Sequence, residues 1–469
     1  MSSDQEGRLR ESLQPYIERA RWFGGKGREV EVTGVHRVGR LPGAEPTVEV
    51  HLVELAYGDA ADRELYQVPL AYYREPVDRL GHAHVGVWSD PELGECHVYD
   101  ALHDRESMAR WLAAFDAAGD GAGDDAGDDV GELRFRRLPG HELDLSAQAS
   151  LFSGEQSNSS VRFGEDAMMK VFRKVTPGVN PDVEIHEALS RAESTHIASL
   201  YGWLEAPDPR SGEVIQLAML QQFLRTASDG WDIAQASVRN LLAEADLHAD
   251  EVGGDFEAES ARLGEAVAEV HRDLLALGET SAETSTLAAA MTARLDSALG
   301  IVAGLAEHEA ALRAVYDRLA ELGELPLQRV HGDLHLGQTL RTVKGWKIVD
   351  FEGEPAKSLA ERMLPDSRWR DVAGMLRSFD YAAHVVERTL GAGDPASARQ
   401  LAYRTAEWAT RNSGAFLAAY AGRALTPGEQ ALLAAYSADK AVYETVYETR
   451  NRPTWVDIPL AAIARIGAS

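Results

Sequence analysis

The chain of 469 residues contains a single cysteine, Cys96, which excludes an intrachain disulfide. A lone thiol suits a reducing compartment, so we expect a cytoplasmic protein. No apolar run approaches the roughly 18 residues that a membrane-spanning helix needs, and none is expected. The first ten residues lack the apolar stretch of a secretory signal, so no signal peptide is expected either.

Basic residues are scarce beside acidic ones, with 47 Lys and Arg against 75 Asp and Glu and a formal net charge of −28. No basic patch offsets this charge, so we expect neither nucleic acid nor an anionic membrane as a partner. Any bound nucleotide must be held by local positive groups. The sequence favours a monomer and leaves an oligomer open.

The composition divides the chain into four parts and predicts an α+β fold. Residues 1–115 combine helical and strand patterns in a small α+β cap with an intermediate subdomain. Residues 116–131 are rich in Gly and Asp and predict a flexible loop, because such a tract cannot bury apolar surface. Calcium binding is the alternative, although the last carboxylate of a calcium loop is missing. Residues 132–224 are rich in strands, and residues 225–469 show mostly helical spacing.

Three polar residues in the C-terminal half have the spacing of a phosphotransfer site. Asp333 lies five residues before Gln338, and a short apolar strand then leads to Asp350 in Asp350-Phe351-Glu352. Protein kinases carry an Asp, four residues, an Asn and later an Asp-Phe-Gly. The spacing predicts Asp333 as the general base and Gln338, Asp350 and Glu352 as magnesium ligands. A turn before a strand is the alternative.

A lysine within an apolar strand supplies the matching element earlier in the chain. Lys170 lies near the centre of residues 167–172, and a lysine there needs an anionic partner. In a kinase-like lobe it contacts the α and β phosphates of ATP and an acid on the following helix. We predict Glu184 as that acid. A surface lysine on an edge strand is the alternative.

A small polar loop over residues 153–160 lies between two predicted strands. Its hydroxyl and backbone N–H groups suit a phosphate, so Ser157, Asn158 and Ser159 are predicted to close over the γ-phosphate. A plain hairpin is the alternative.

The apolar segment over residues 217–224 is predicted to be a strand that ends in a hinge. Backbone atoms from Gln222 to Leu224 are predicted to pair with an adenine edge. A core strand without a ligand is the alternative.

Residues 327–338, 348–355 and 370–379 resemble the bacterial maltokinases, and residues 155–159 and 177–182 match the same family. The resemblance covers nearly the whole chain. It implies a bilobal protein-kinase-like fold with an N-terminal α+β cap subdomain and a largely helical C-terminal lobe. It also implies ATP, magnesium and a small-molecule sugar acceptor, with His335 and Asp371 touching the acceptor hydroxyls.

The helix predicted over residues 426–451 and the segment after it resemble the branch of that family that phosphorylates glucosamine. Aromatic and amide side chains share one stripe, and Lys440 shares the adjacent stripe with two glutamates that suit a protonated amine. Trp455 offers a flat face for a sugar ring. The predicted acceptor residues are Tyr443, Glu444, Tyr447, Glu448, Asn451 and Trp455. The alternative is a Lys440–Glu444 surface ion pair with ordinary packing of the tyrosines.

Three functions stay open at this point. The favoured one is an ATP-dependent glucosamine kinase that produces glucosamine 6-phosphate. A maltokinase that produces maltose 1-phosphate would share the mechanism but need a longer, less acidic cleft. A catalytically silent, kinase-like binding module is disfavoured because Asp333, Asp350 and Lys170 are all present.

Overall fold

The computed structural model describes residues 3–43, 45–90, 92–118, 129–130, 133–152, 157–244, 247–355, 357–391 and 394–468. Most of the loop predicted over residues 116–131 and the start of the predicted phosphate loop, residues 153–156, lie outside the described residues. The chain forms two compact units. One consists of Met1–Glu184 with Ala198–Arg225, and the other of Ile185–Ile197 with Thr226–Ser469. The four domain boundaries given above stay predictions.

The first unit begins with a helix that packs on an antiparallel sheet. Its elements are α1 (Ser3–Arg19), β1 (Val30–Leu41), β2 (Thr47–Tyr57), β3 (Asp59–Tyr73), β4 (His84–Asp90), β5 (Gly94–Asp100) and α2 (Arg105–Ala117). The sheet order is β1-β2-β3-β5-β4. Successive residues of a strand point to opposite faces, and Leu52 and Val53 of β2 accordingly lie in two different cores. Both faces of this sheet are therefore covered, by α1 on one side and α2 on the other.

A second sheet follows in the same unit. Its strands are β6 (Asp129–Val130), β7 (Leu133–Arg137), β8 (Ala149–Leu151), β9 (Asn158–Phe163), β10 (Ala167–Phe172), β12 (Leu200–Pro207) and β13 (Val214–Gln222), while β11 (Lys174–Val175) pairs with β3 of the first sheet. The order is β6-β7-β12-β13-β10-β9-β8. Lys170 on β10 is opposite Ser160 of β9 and Met219 of β13. Because β10 has a neighbour on each side, the edge-strand alternative for Lys170 is wrong.

The second unit is largely helical. After α3 (Pro181–Arg191), its elements are β14 (Ser228–Asp229), α4 (Gly230–Ala243), α5 (Glu257–Asp273), β15 (Glu279–Glu283), α6 (Thr284–Leu299), α7 (Glu309–Ala320), β16 (Glu324–Gln328), β17 (Thr339–Thr342), β18 (Gly345–Ile348), α8 (Leu359–Arg362), α9 (Trp369–Leu390), α10 (Pro395–Ala421), α11 (Pro427–Asn451) and α12 (Asp457–Ala468). The helix predicted over residues 426–451 is confirmed as α11, which begins one residue later and ends at the predicted residue.

Local signals explain where these helices begin. At α11 the Thr426 side chain accepts from the N–H of Glu429, whose carboxylate accepts from the N–H of Thr426, and Pro427 occupies the first turn. Phe256, which lies just before α5, stacks on Trp408 of α10 with ring centroids 6.0 Å apart, and both rings contact Phe379 of α9 in the core. Among the described residues, no helix is both long and apolar enough to cross a membrane. The mixed α+β fold class with a sheet-rich N-terminal part is confirmed.

Candidate active site

Asp371 on α9 fixes the backbone of the loop that carries Asp333. Its two carboxylate oxygens accept hydrogen bonds from the N–H groups of His331 and Gly332, both at 2.8 Å. The His271 ring contacts the same carboxylate at 3.0 Å. Asp371 is only 1% exposed, so the prediction that it touches acceptor hydroxyls is wrong. Burial raises the pKa of Asp371, but the His271 hydrogen bond and charge outweigh burial and hold it below its usual value.

A glycine lets α9 approach this loop closely. A Cβ on Gly374 would lie 2.6 Å from the carbonyl oxygen of Leu334, which is shorter than side chains tolerate. Gly374 lies three residues after Asp371, on the same side of the helix. The helix therefore contacts the loop through a carboxylate and through bare backbone.

Asp333 is presented by this loop with 23% of its side chain exposed. Lys440 of α11 donates from Nζ to its Oδ1 at 3.1 Å. Burial raises the pKa of the Asp333 carboxyl, but the positive charge of Lys440 outweighs burial and leaves it below the ordinary value. Asp333 is therefore ionised near neutral pH, as a general base must be.

His335 lies between the base and a cavity. Its Nδ1 accepts from the N–H of Gly337 at 3.1 Å, which begins the short 3-10 turn Leu336–Gln338. Burial lowers the pKa of the ring, which is therefore neutral near pH 7. The cavity measures about 350 Å³ and is lined by His335, Gly337, Asp229, Trp231 and Asp232. Its carboxylates can accept hydrogen bonds from ligand hydroxyls, and its residues at the start of α4 were not predicted from the sequence.

The predicted metal ligands of the second unit converge. Oxygen atoms of Asp350 and Glu352 lie within 4.8 Å of one another. Gln338 Nε2 lies 3.2 Å from Asp350 Oδ2, so the extra methylene of glutamine does not carry the amide away. Asp350 has φ of 66°, in the left-handed region that is costly outside glycine and typical of functional sites. The two carboxylates supply the oxygen ligands that Mg²⁺ prefers, and Gln338 adds a third once Oε1, in place of the hydrogen-bonding Nε2, faces the ion.

Lys170 in the first unit has an acidic partner, but not the predicted one. Its Nζ donates to Asp182 Oδ2 at 2.8 Å, and both side chains are buried. The assignment of Glu184 as this partner is corrected to Asp182. The two acids are two residues apart on α3 and so point in nearly opposite directions. Asp182 follows Pro181 in the first turn, where a carboxylate also interacts favourably with the helix dipole.

The predicted phosphate loop is described from Ser157 onward, where Ser157 is exposed and Asn158 is partly buried. Ser159 is buried, and its Oγ accepts from Arg173 Nε at 2.8 Å. Arg173 also donates to Asp100 at 2.8 Å, and neither of these two side chains is exposed. The assignment of the Ser159 hydroxyl to the γ-phosphate is therefore wrong, because a buried arginine holds it.

The predicted hinge follows β13. The N–H of Gln222 donates to the carbonyl of Ser199 at 2.9 Å, and the N–H of Phe223 donates to that of Asp166 at 2.7 Å. Those two donors are used within the sheet region and cannot pair with an adenine edge. The predicted contacts through the Gln222 carbonyl and through Leu224, which is partly buried, stay predictions.

Helix α11 presents two tyrosines to solvent beside the base. Tyr443 and Tyr447 are 39% and 45% exposed, and their rings stack with centroids 6.5 Å apart. Lys440 Nζ lies 5.3 Å from the Tyr443 ring centroid, so this aromatic surface adjoins the Asp333–Lys440 pair. Stacked, exposed rings suit the apolar face of a sugar. Their role as acceptor residues stays a prediction.

The two glutamates of α11 that were predicted as acceptor residues, Glu444 and Glu448, face the interior. Glu444 accepts a hydrogen bond from Arg377 Nε at 2.9 Å, and Arg377 Nη2 lies 2.8 Å from the same carboxylate as an ion pair. Glu448 is 1% exposed and accepts from Arg452 Nε and Nη2, at 2.9 and 2.6 Å, and from the Tyr381 hydroxyl. The prediction that these carboxylates bind a sugar amine is corrected, because the buried Arg377 and the more exposed Arg452 already pair with them. The surface Lys440–Glu444 pair is likewise wrong.

The two predicted acceptor residues at and after the end of α11, Asn451 and Trp455, also contact other groups of the protein. Asn451 is exposed and donates from Nδ2 to the carbonyl of Tyr447 at 2.9 Å. The Arg452 guanidinium lies 4.5 Å from the ring centroid of Trp455, so it covers a face that was predicted for the sugar. Asn451 and Trp455 stay predicted acceptor residues, with Trp455 needing Arg452 to move.

Two family models match this chain. Residues 16–104 match the maltokinase N-terminal cap domain, and residues 148–421 match the phosphotransferase enzyme family. A glucosamine kinase of Streptacidiphilus jiangxiensis is 32% identical over 332 residues, which cover 65% of this chain and 70% of that protein. A glucosamine kinase of Mycolicibacterium smegmatis is 27% identical over 331 residues, covering 66% of this chain and 77% of that protein.

A solved structure described as glucosamine kinase in complex with glucosamine, ADP and inorganic phosphate superposes with a TM-score of 0.68. The match covers 96% of this chain and 98% of that one at 23% sequence identity. At this identity the likeness establishes a shared fold. It extends over both compact units, including the N-terminal sheet.

Proposed function

The chain belongs to the phosphotransferase enzyme family, and from that premise we propose that it is an ATP-dependent glucosamine kinase producing glucosamine 6-phosphate. The observation that carries the reaction type is Asp333, an ionised and partly exposed carboxylate on a loop fixed by Asp371. The choice of acceptor is supported by the 32% identity to a glucosamine kinase.

In the proposed reaction, Asp333 accepts the proton of the C6 hydroxyl as that oxygen bonds to the γ-phosphorus of ATP. The bond between this phosphorus and the β,γ-bridging oxygen breaks, and ADP leaves with that electron pair. Little covalent work falls on the protein in such a transfer, which depends on positioning and charge stabilisation. Asp371 contributes by holding the loop, and neutral His335 can donate or accept a hydrogen bond to the acceptor.

Asp350, Glu352 and the Gln338 amide would hold Mg²⁺, as their convergence supports. When bound, the ion supplies neutralisation of the phosphate charge. In the first unit, Lys170 is proposed to bind the α and β phosphates, with Asp182 fixing its side chain. Ser157 and Asn158 are proposed to contact the γ-phosphate, and Leu224 the adenine edge.

The exposed Tyr443–Tyr447 pair is proposed as the surface on which the sugar ring packs. A cytoplasmic location follows from the lone thiol and stays part of the proposal. A second candidate is a maltokinase giving maltose 1-phosphate. The specific observation in its favour is the match of residues 16–104 to the maltokinase cap domain.

The test is an ADP-release assay with ATP and Mg²⁺, comparing glucosamine, glucose, maltose and an aminoglycoside at equal concentration. We expect glucosamine to give the highest kcat/KM, and phosphorus NMR to place the phosphate on C6. Asp333→Asn is the matched control, which should lose turnover and keep ATP binding. A preference for maltose would replace the proposal with the maltokinase alternative.

A further inference from the structure

Lys440 places a positive charge beside Asp333, the proposed general base of an enzyme that is proposed to bind a cationic sugar. Its Nζ lies 3.1 Å from Asp333 Oδ1, and the two side chains are 31% and 23% exposed. Both groups therefore face solvent as well as each other. An amino sugar that approaches Asp333 meets this ammonium group at the same time.

Lys440 neutralises Asp333, whereas neighbouring carboxylates have arginines of their own. Glu444 is held by Arg377, and Glu354 accepts from Arg370 at 3.0 Å. Within the described part of the chain, the salt bridge to Lys440 is the one that Asp333 forms. Loss of the lysine charge would leave an ionised, partly exposed carboxylate at the acceptor position without a counter-charge.

We propose that Lys440 is a specificity-determining residue that orients the amino sugar at the base. The inference rests on the proposed function and deepens it. Like charges repel, so the ammonium group on C2 of glucosamine is kept away from Asp333 and the remote C6 hydroxyl meets the carboxylate. Without the lysine charge, Asp333 attracts the sugar ammonium and holds the sugar in a reversed, unproductive orientation.

Glucose separates this effect from a general change in the site. It has the shape of glucosamine but carries a hydroxyl in place of the ammonium group. A structural role for Lys440 would affect both sugars alike. An orienting charge affects glucosamine alone, and the effect on it has a defined sign.

The experiment is isothermal titration of glucosamine and of glucose into the full-length wild-type protein and two variants at neutral pH. Lys440→Met removes the charge and keeps most of the length, and Lys440→Arg keeps the charge. We expect Lys440→Met to bind glucosamine about ten-fold more tightly, with glucose affinity changed less than about two-fold. Lys440→Arg should behave like the wild type.

Turnover gives a second readout. Unproductive binding lowers kcat and KM for glucosamine by the same factor, so Lys440→Met should show both falling together. For glucose, which carries no ammonium group, KM should not fall. If Lys440→Met does not fold, as judged by thermal unfolding, Lys440→Gln replaces it.

Equal changes for the two sugars, or weaker glucosamine binding in Lys440→Met, would overturn the proposal, as would a wild-type protein that binds neither sugar. The titration needs no turnover, so it is separable from the assay of function. If Lys440→Met changes the binding of the two sugars equally while the wild type still phosphorylates glucosamine, this inference fails and the proposed function stands. If Lys440→Met changes the binding of glucosamine alone but the wild type does not phosphorylate glucosamine, the proposed function fails and this inference stands.

Discussion

The carboxylate of Asp371 accepts a 2.8 Å hydrogen bond from the backbone N–H of His331, two residues before the proposed base. The other oxygen accepts from Gly332, and the His271 ring, itself held by the Tyr420 hydroxyl, contacts the carboxylate from the opposite direction. The buried residues Tyr420, His271 and Asp371 thus fix the backbone from which Asp333 acts.

Asp371→Asn keeps the shape of the side chain but leaves one acceptor oxygen for two N–H groups. An unpaired buried donor costs about 1–3 kcal/mol of unfolding free energy. A similar loss in the positioning of Asp333 would lower kcat by about 10- to 100-fold. Asp380→Asn is the matched control on the same helix, where the carboxylate contacts Arg377 and Arg465. It should lower stability with kcat largely kept, and equal kcat losses in both variants would refute the positioning role.

The correction from Glu184 to Asp182 is open to direct measurement. We expect Lys170→Met and Asp182→Asn to lower kcat/KM for ATP on the order of 100-fold, as when a charge-stabilising group is removed. Glu184→Gln, on the same helix, serves as the control and should retain activity within about two-fold. Steady-state kinetics with varied ATP decides the matter, and a large loss in Glu184→Gln alone would restore the original assignment.

The pH dependence of kcat should show the influence of Lys440 on the base. Burial raises the pKa of Asp333, but the positive charge of Lys440 lowers it by more. The pKa is therefore below the ordinary aspartate value of about 3.9. The carboxylate is active when ionised, so activity persists down to its pKa and is lost as the pH falls through it. We expect wild-type kcat to be level from about pH 7 to about pH 5, with the acid limb of Lys440→Met moved upward. An acid limb inside that range in the wild-type enzyme would contradict the assignment.

The buried Asp100–Arg173 pair should contribute strongly to the stability of the first unit. Breaking a buried pair by removing one charge costs about 3–5 kcal/mol, so Asp100→Asn should lose about that much unfolding free energy. Glu187→Gln, which breaks an exposed pair with Arg191, is the control and should cost less than about 1 kcal/mol. Urea denaturation at neutral pH measures both variants.

The same pair predicts the sign of a pH effect. Burial raises the pKa of Asp100, but Arg173, His103 and Tyr16 outweigh it and keep the folded-state pKa below the unfolded value. The contribution is therefore present in full above about pH 4 and is lost as the pH falls through the folded-state pKa. The difference between wild type and Asp100→Asn should shrink under acid, and a difference that grows there would contradict this reading.

The spacing of residues in the sequence was sufficient to predict those parts of the site whose residues lie close together along the chain. The interval from Asp333 to Gln338 and on to Asp350 predicted a group of ligands that the fold does bring together. The spacing of apolar residues located the long helices for the same reason, because helical periodicity is a property of the segment alone.

The roles of Glu444, Glu448 and Asp371 could not be predicted from local spacing, because these residues contact partners far away in the sequence. A stripe on α11 was visible in the sequence, but the side of the helix that faces the core depends on Arg377 and Tyr381 of another helix. Glu444 and Glu448 therefore looked like surface ligands and are interior partners. Asp371 likewise looked like a substrate residue, since its contacts with the loop lie about 40 residues away.

Lys440 follows Asp333 by 107 residues, so the two members of this ion pair are synthesised at different times. A ribosome delivers the base, the proposed metal ligands and Asp371 before α11 has been synthesised. A nascent or truncated chain that ends before residue 440 exposes Asp333 without its counter-charge. Translation must therefore proceed through Lys440 of α11 before the acceptor position has its final electrostatic character.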